Sequence, residues 1–155
     1  MLLLTMNIGA ERYALDAKYI IEVIPLIKIE HVPRVDACIS GIFNYRGAPV
    51  PVIDLCMFFE NRQCSTHLSS RIILTQIKTP DGNDKVIGLI AESMTEVIKC
   101  DARDFSSNGI KSDKAAFLQY VYQYGDEILQ IIDISKVIPD SISQQLNATD
   151  LTVAM

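Results

Sequence analysis

The chain has 155 residues, of which 49% are apolar and 21% are charged, and its formal net charge at pH 7 is −5. This length fits one domain or two small packed ones, and such a chain can bury roughly 70% of its unfolded surface without a disulfide or metal. The negative charge and the scattered Lys and Arg residues argue against nucleic acid as a partner, since that binding depends on neutralising phosphates. No apolar stretch approaches the roughly 18 residues of a transmembrane helix, so we expect no direct membrane insertion.

The N-terminal residues and the cysteines indicate a cytoplasmic protein. Residues 1–6 are apolar but lack the basic start and long apolar run of a signal peptide, so they are predicted to form a first strand. The four cysteines show no close paired spacing, which predicts reduced thiols; they are Cys38, Cys56, Cys64 and Cys100. Cys64 and His67 resemble a thiolate–imidazole pair in sequence, but a polar loop would not hold that geometry.

Short β-branched segments separated by turn residues run along the chain, a pattern typical of strands. The clearest predicted strands are residues 50–55, 71–77, 85–91, 117–124 and 127–134, with turns at 79–83 and at Gly125-Asp126. Helical signal is thin: one or two turns over residues 16–22, capped by Asp16, and a short turn at residues 135–138. Residues 60–70 and 101–113 are polar and predicted to be loops.

Two internal echoes predict a repeated architecture. Residues 14–24 align with residues 88–98 at an offset of 74, with five of eleven positions identical. Residues 51–55 align with residues 130–134 at an offset of 79. Two echoes in the same order indicate two related β halves. We therefore expect an all-β fold with a few short helices, built from two packed five-stranded β-barrels, because closure would remove exposed strand edges.

The strongest motif lies at residues 41–55. Gly41 permits an unusual backbone angle or a close approach. Asn44 can brace a turn through its side chain, and Gly47 can supply a positive φ. Arg46 stands between apolar residues and a turn, and a charged side chain at such a position suggests a specific role.

This segment resembles the signature of the CheW-like domain family, in which Gly-Leu-Ile-Asn-Leu-Arg-Gly leads into a Val-Pro-Val-Ile-Asp-Leu strand. Further family motifs are matched in the correct order at residues 13–23, 87–97 and 131–134. The resemblance covers roughly residues 2–139. It implies one CheW-like domain over residues 1–139, made of two five-stranded barrels, and a C-terminal tail over residues 140–155. Residues 42–47 further look like adaptors of alternative, surface-sensing chemosensory systems.

The resemblance implies an adaptor without enzymatic activity and without a cofactor. Known members couple the cytoplasmic tips of chemoreceptors to the regulatory domain of a CheA-type histidine kinase. The chain would therefore be cytoplasmic and would reach membrane receptor arrays through these partners.

The resemblance also implies partner-binding residues in both halves: Ile20, Glu22, Gly41, Arg46, Ile72, Met94, Val97 and Tyr120. The first four match a helical turn and a loop at which family members contact receptors. An internal Glu22–Arg46 ion pair that only braces the fold is an equal alternative. The last four occupy positions that are more often core than surface. Tyr120 stands where glycine is common in the family, so its ring would alter the groove.

A different class of function stays open, namely a small hydrolase or ligand-binding β protein that uses the groove between the halves. Its polar groups would be Glu22, Arg46 and Asp54. Asp54 and Asp133 could also suggest a catalytic carboxylate pair, but their equivalent places in the repeat favour a matched role in strand-end hydrogen bonding. His31 and His67 have no nearby ligand cluster, so no metal site is expected.

Overall fold

The computed structural model describes residues 1–65, 69–78, 82–112 and 117–136. The predictions for His67 and for the tail from residue 140 lie outside these residues, as do parts of the turns predicted at 79–83 and 135–138. Among the described residues, no helix is long and apolar enough to cross a membrane.

The described residues form mostly β-strands. The strands are β1 Leu2–Ile8, β2 Glu11–Asp16, β3 Ile20–Pro25, β4 Ile39–Tyr45, β5 Ala48–Asp54, β6 Arg71–Lys78, β7 Asp84–Ala91, β8 Ser93–Lys99, β9 Ser106–Ser107, β10 Tyr120–Tyr124 and β11 Glu127–Ile132. Helix α1 spans Leu55–Glu60, and short 3-10 helices span Ala17–Tyr19 and Ala102–Asp104.

The strands form two sheets with the same internal order. The first sheet runs β8-β1-β2-β11-β10-β9, and the second runs β3-β6-β7-β5-β4. The echoes make β2 and β3 equivalent to β7 and β8, and β5 equivalent to β11. With β1 matched to β6 and β4 to β10 by chain order, the second sheet reproduces the first five strands of the first sheet. Even the parallel pairings agree, with Ile53 opposite Leu89 in one sheet and Ile132 opposite Leu15 in the other. The predicted repeat is therefore confirmed.

The sheets do not correspond to contiguous halves of the chain. Strands β1 and β2 belong to the first sheet, but β3 pairs with β6 in the second sheet. The chain returns at Glu92, between β7 and β8, because β8 pairs with β1. The first half of the chain thus places β1 and β2 in the first sheet and its other strands in the second, whereas the second half places β6 and β7 in the second sheet and its other strands in the first. The two sheets depend on each other for their complete strand sets, so we expect them to unfold together.

The predicted closed barrels are not confirmed, because the described strand pairings leave both sheets open. The second sheet is nevertheless strongly curled. Its edge strands β3 and β4 would lie about 19 Å apart in a flat five-stranded sheet. However, the hydroxyl of Tyr45 on β4 donates to Glu22 on β3 at 2.7 Å. The curl brings residues from opposite edges onto one surface.

Three apolar clusters stabilise this arrangement. The largest lies between the sheets and includes Met6 and Leu15 from the first sheet and Ile53 and Leu89 from the second. Smaller clusters fill the curl of each sheet; they include Phe43, Val52, Ile72 and Leu74 in the second, and Leu3, Ala14, Leu129 and Ile131 in the first.

Three predicted strands, 50–55, 117–124 and 127–134, are too long, and side-chain contacts explain the first two differences. Residue Leu55 begins helix α1 because Asp54 caps it: the carboxylate accepts hydrogen bonds from the backbone N–H groups of Cys56 and Met57. Strand β10 begins at Tyr120 and not at Phe117. The ring of Phe117 stacks on Phe59 at 5.3 Å, which ties this residue to the core next to α1.

The predicted helical turn at residues 16–22 is shorter than expected. Asp16 does cap it, accepting from the backbone N–H of Lys18, but the 3-10 helix spans only Ala17–Tyr19. Ile20 and Glu22 lie in strand β3. These two predicted partner-binding residues are thus strand residues and not helix residues.

The prediction of reduced thiols is wrong for one pair. Cys56 and Cys64 form a disulfide with their Cα atoms 5.0 Å apart, whereas Cys38 and Cys100 are free. The eight-residue separation gave no sign of this pairing. It arises because Asp54 accepts hydrogen bonds from the backbone N–H groups of both Cys56 and Cys64.

Candidate partner-binding site

The β4–β5 turn has the geometry that its sequence predicted. Arg46 and Gly47 have φ angles of +53° and +86°, as the two central residues of a type I′ hairpin turn require. The side chain of Asn44 accepts a hydrogen bond of 2.8 Å from the N–H of Gly47. This tight turn fixes the position from which the side chain of Arg46 projects.

Glu22, Tyr45 and Arg46 form a polar group that we call the Glu22 cluster. The Glu22 carboxylate accepts the Tyr45 hydroxyl at 2.7 Å, and Arg46 lies 3.5 Å from the same oxygen. The guanidinium also lies over the Tyr45 ring, 5.0 Å from its centroid. The hydrogen bond to Glu22 raises the pKa of Tyr45.

The Glu22–Arg46 pair is exposed to solvent. The side chains are 41% and 76% exposed, respectively. An exposed pair contributes only about 0–1 kcal/mol to stability. A purely bracing role would therefore do little for the fold. The cluster instead holds an arginine in a defined, accessible position.

Two exposed apolar side chains lie on the same edge strand as Glu22. Ile21 and Val23 are 45% and 37% exposed. They alternate with Ile20 and Glu22 along β3, so they lie on the opposite face of the strand from Glu22. The sequence analysis did not select them.

The other predicted residues of the second sheet are less accessible. Ile20 packs partly against the core between the sheets. Gly41 is buried with a φ of +148°, and a Cβ there would lie 2.1 Å from the carbonyl oxygen of Glu30. Ile72 is completely buried. Gly41 and Ile72 would therefore affect a partner only by shaping the sheet.

Met94, Val97 and Tyr120 lie on the first sheet. Val97 and Tyr120 are 55% and 49% exposed, whereas Met94 packs partly against the core between the sheets. By the repeat offsets, Met94 corresponds to Ile20 and Tyr120 to Gly41. The predicted residues thus form two related sets, one on each sheet.

The first sheet carries a second polar cluster that the sequence analysis missed. Arg12 binds Glu96 at 2.6 Å and also pairs with Glu127. Its guanidinium lies 6.0 Å from the centroid of the Tyr124 ring. Glu96 and Tyr124 are the repeat equivalents of Glu22 and Tyr45, so the echo could have identified them. Arg12 could not be found this way, because Val86 occupies its equivalent position.

Asp54 and Asp133 have the matched structural role that the repeat predicted. Each aspartate accepts from the N–H two residues later, that of Cys56 at 2.9 Å and that of Ser135 at 3.1 Å. Each also donates its own N–H to a carbonyl at the equivalent place, Asp54 to Cys38 and Asp133 to Phe117. These aspartates organise the backbone after β5 and β11, which does not fit a catalytic pair.

One group of potential metal ligands is present in the described part of the chain. Ligand atoms of Asp54, Cys56 and Cys64 all lie within 4.8 Å of one another. The disulfide occupies both sulfurs, and thiolates rather than disulfides bind metals. The oxidised protein therefore offers no thiolate ligand at this place.

Two interlocked sheets that present exposed anchors, and that use their aspartates as backbone caps, define a protein-interaction module. The model of the CheW-like domain matches residues 2–141, and the chain belongs to this family. Proteins of the family are scaffolds and adaptors and not enzymes.

Similar proteins agree with this assignment. The chemotaxis protein CheW of Treponema pallidum (strain Nichols) is 26% identical over 151 residues, covering 93% of this chain and 85% of the relative. The chemotaxis protein CheW of Bacillus subtilis (strain 168) is 24% identical, covering 88% and 86%. The crystal structure of the scaffolding protein TtCheW from Thermoanaerobacter tengcongensis has a TM-score of 0.78 at 26% identity and covers 91% of this chain and 89% of its own. The chain is a CheW-like scaffold of a chemotaxis system.

Proposed function

We propose that this chain couples the cytoplasmic tips of chemoreceptors to the regulatory domain of a CheA-type histidine kinase. It would do so as one CheW-like domain over residues 1–139, followed by a tail, in the cytoplasm of the cell. The observation that carries the proposal is the Glu22 cluster, in which an arginine is held in an accessible position at the edge of the second sheet.

The chemistry of Arg46 suits a binding anchor. A guanidinium has five N–H donors in a fixed plane, and Glu22 approaches only one edge of it. The tight turn, Glu22 and the Tyr45 ring hold the side chain in place, which lowers the entropy lost on binding. Remaining donors can pair with carboxylates or carbonyls of a receptor tip. Ile21 and Val23, exposed on the opposite face of the same edge strand, would supply apolar contact to a partner that packs along this edge.

Met94, Val97 and Tyr120 form the related set on the first sheet, and we propose that they also contact partners. Val97 and Tyr120 offer the exposed area. Tyr120 would present a large exposed ring where its repeat equivalent, Gly41, is buried against the backbone of Glu30. The two sets would therefore recognise different surfaces. This difference fits an adaptor that holds two kinds of partner together.

Binding measurements with the purified partners test the proposal. We expect wild-type protein to co-sediment with receptor fragments and with the kinase regulatory domain. Arg46→Ala should weaken receptor binding at least tenfold while the circular dichroism spectrum and Tm stay close to wild type. Arg103→Ala is the matched control, because Arg103 is also exposed and pairs with Asp101 at 2.8 Å. If folded wild-type protein binds neither partner, the adaptor role is wrong.

The same variant distinguishes the adaptor role from the alternative function as a hydrolase. Turnover of generic ester or phosphate substrates that disappears in Arg46→Ala would favour an enzyme. The adaptor role predicts no turnover in either protein.

A further inference from the structure

The two cysteines of the disulfide differ in burial. Cys56 lies in the first turn of α1 and is completely buried. Cys64 is partly exposed and lines an open cavity of about 410 Å³, together with Asp54, His31, Arg34 and Asp36. A small thiol that enters this cavity can reach Cys64 but not Cys56.

The backbone around the two cysteines is fixed independently of the sulfur–sulfur bond. The Asp54 carboxylate accepts from the N–H of Cys56 at 2.9 Å and from that of Cys64 at 3.0 Å. The Cα separation of 5.0 Å lies within the ordinary range for disulfides. Asp54 therefore holds the pair ready to bond, and the bond can form or break without a large backbone movement.

Neighbouring contacts would keep the segment folded after reduction. Arg62 and Ser65, on either side of Cys64, both donate to the carboxylate of Glu92. The Cys64 sulfur lies 3.6 Å from the carbonyl oxygen of Ile90, which can accept the hydrogen bond of a reduced thiol. The structure thus provides for both the dithiol and the disulfide form.

We propose that Cys64 is a redox-modification site, at which small thiols open the disulfide through the cavity and small oxidised disulfides, such as oxidised glutathione, re-form it. The thiolate of the incoming molecule attacks the Cys64 sulfur, the Cys56–Cys64 bond breaks, and its electron pair leaves on Cys56, which takes up a proton. A second molecule of the small thiol then attacks the mixed disulfide. It releases Cys64 as a thiol and an oxidised small disulfide, so two electrons and two protons have entered the protein.

The proposed redox site is a property beyond the adaptor role. It rests on the proposed function only in assuming that the protein is located in the cytoplasm. A cytoplasmic protein meets a reducing thiol pool, in which an accessible disulfide is a responsive element and not a permanent one. The test below uses the isolated chain, so its outcome is independent of any binding to receptor or kinase.

Two matched variants test which sulfur reacts, in a background where Cys38 and Cys100 are replaced by serine. Cys56→Ser leaves Cys64 facing the cavity, and Cys64→Ser leaves Cys56 buried. Both proteins are incubated folded with oxidised glutathione, quenched with acid, and mapped by mass spectrometry. We expect the mixed disulfide to form on Cys64 at least tenfold faster than on Cys56. Equal rates, or faster reaction at Cys56, would overturn the assignment of the site.

Wild-type protein provides a measurement that does not depend on the variants' folding. In glutathione redox buffers, we expect a reversible two-electron transition from two to four alkylatable thiols while the circular dichroism spectrum is retained. Reduction should lower Tm by roughly 5–10 °C, since opening a loop of this length frees the unfolded chain. A pair that stays unbonded in oxidising buffer, or a bond that resists reduction until the protein unfolds, would contradict the proposal.

Discussion

The carboxylate of Glu92 accepts four hydrogen bonds from three separate residues. It lies where the chain crosses between the two sheets, and its side chain is only 13% exposed. It accepts both terminal nitrogens of Arg62, at 2.7 and 3.1 Å, and the N–H groups of Gly9 and Ser65, each at 2.9 Å. One charge thus ties the β1–β2 turn of the first sheet to the segment after α1.

We expect Glu92→Gln to destabilise the protein by about 2–3 kcal/mol. The substitution keeps the size of the side chain but removes the charge, and its amide nitrogen cannot accept the hydrogen bonds. Hydrogen bonds to charged groups contribute about 1.5–3 kcal/mol each when a partner is left unsatisfied. The total is smaller than the sum because Arg62 is 37% exposed and keeps its 3.0 Å contact with Glu60. Tm should fall by roughly 5–10 °C.

Urea unfolding measures this effect. The midpoint should decrease while the slope m stays unchanged. Glu60→Gln is the matched control, because it removes the other carboxylate on the same arginine, and we expect a loss below about 1 kcal/mol. Glu92→Gln within 0.5 kcal/mol of wild type, or a Glu60→Gln loss as large, would refute the assignment of Glu92 as the anchor.

The pH dependence supplies an independent check. The hydrogen bonds from Arg62, reinforced by those from Gly9 and Ser65, hold the pKa of Glu92 well below its usual range, although burial opposes this effect. A lowered folded-state pKa stabilises the protein above the unfolded value of about 4.3. This stabilisation declines as pH falls below that value. The difference between wild type and Glu92→Gln should be full at pH 7 and should shrink below about pH 4.3.

Two further predictions concern the second sheet and the repeat. Gly41→Ala should lower Tm by several degrees and speed hydrogen exchange near Glu30, because the new Cβ would lie 2.1 Å from the Glu30 carbonyl oxygen at a positive φ; an unchanged Tm would contradict the close approach. Asp54→Asn should cost more stability in urea than Asp133→Asn, because Asp54 is 6% exposed and serves three amides. Equal losses in the free energy of unfolding would contradict this difference between the two aspartates.

The repeat could be detected in the sequence because it preserves residues whose side chains form hydrogen bonds with the backbone. Asp54 and Asp133 both accept from the N–H two residues later, a local interaction that needs an aspartate in either half. The crossing of the chain from one sheet to the other, after β2 and again after β7, could not be predicted from the sequence, because pairing depends on which edge a strand reaches after its turn and not on its own pattern. Strand periodicity is the same whichever sheet accepts the strand.

The site was predictable where chemistry is local. Asn44 and Gly47 specify the turn that positions Arg46, and the sequence predicted both roles. Burial was not predictable: Ile72 and Val97 are similar strand residues, yet one is completely buried and the other is 55% exposed. The side of a sheet that faces a core is set by the curl of the whole sheet. The disulfide could not be predicted either, because Asp54 brings Cys56 and Cys64 together only in the folded chain.

One measurement tests the coupling role most directly. Vesicles that carry receptor fragments are mixed with the kinase regulatory domain, with and without this chain, and sedimented. We predict that the kinase domain sediments only when the chain is present, and that Arg46→Ala reduces this recruitment at least tenfold while Arg103→Ala does not. Sedimentation of the kinase domain that is independent of the chain, or no recruitment with folded wild-type protein, would contradict the account.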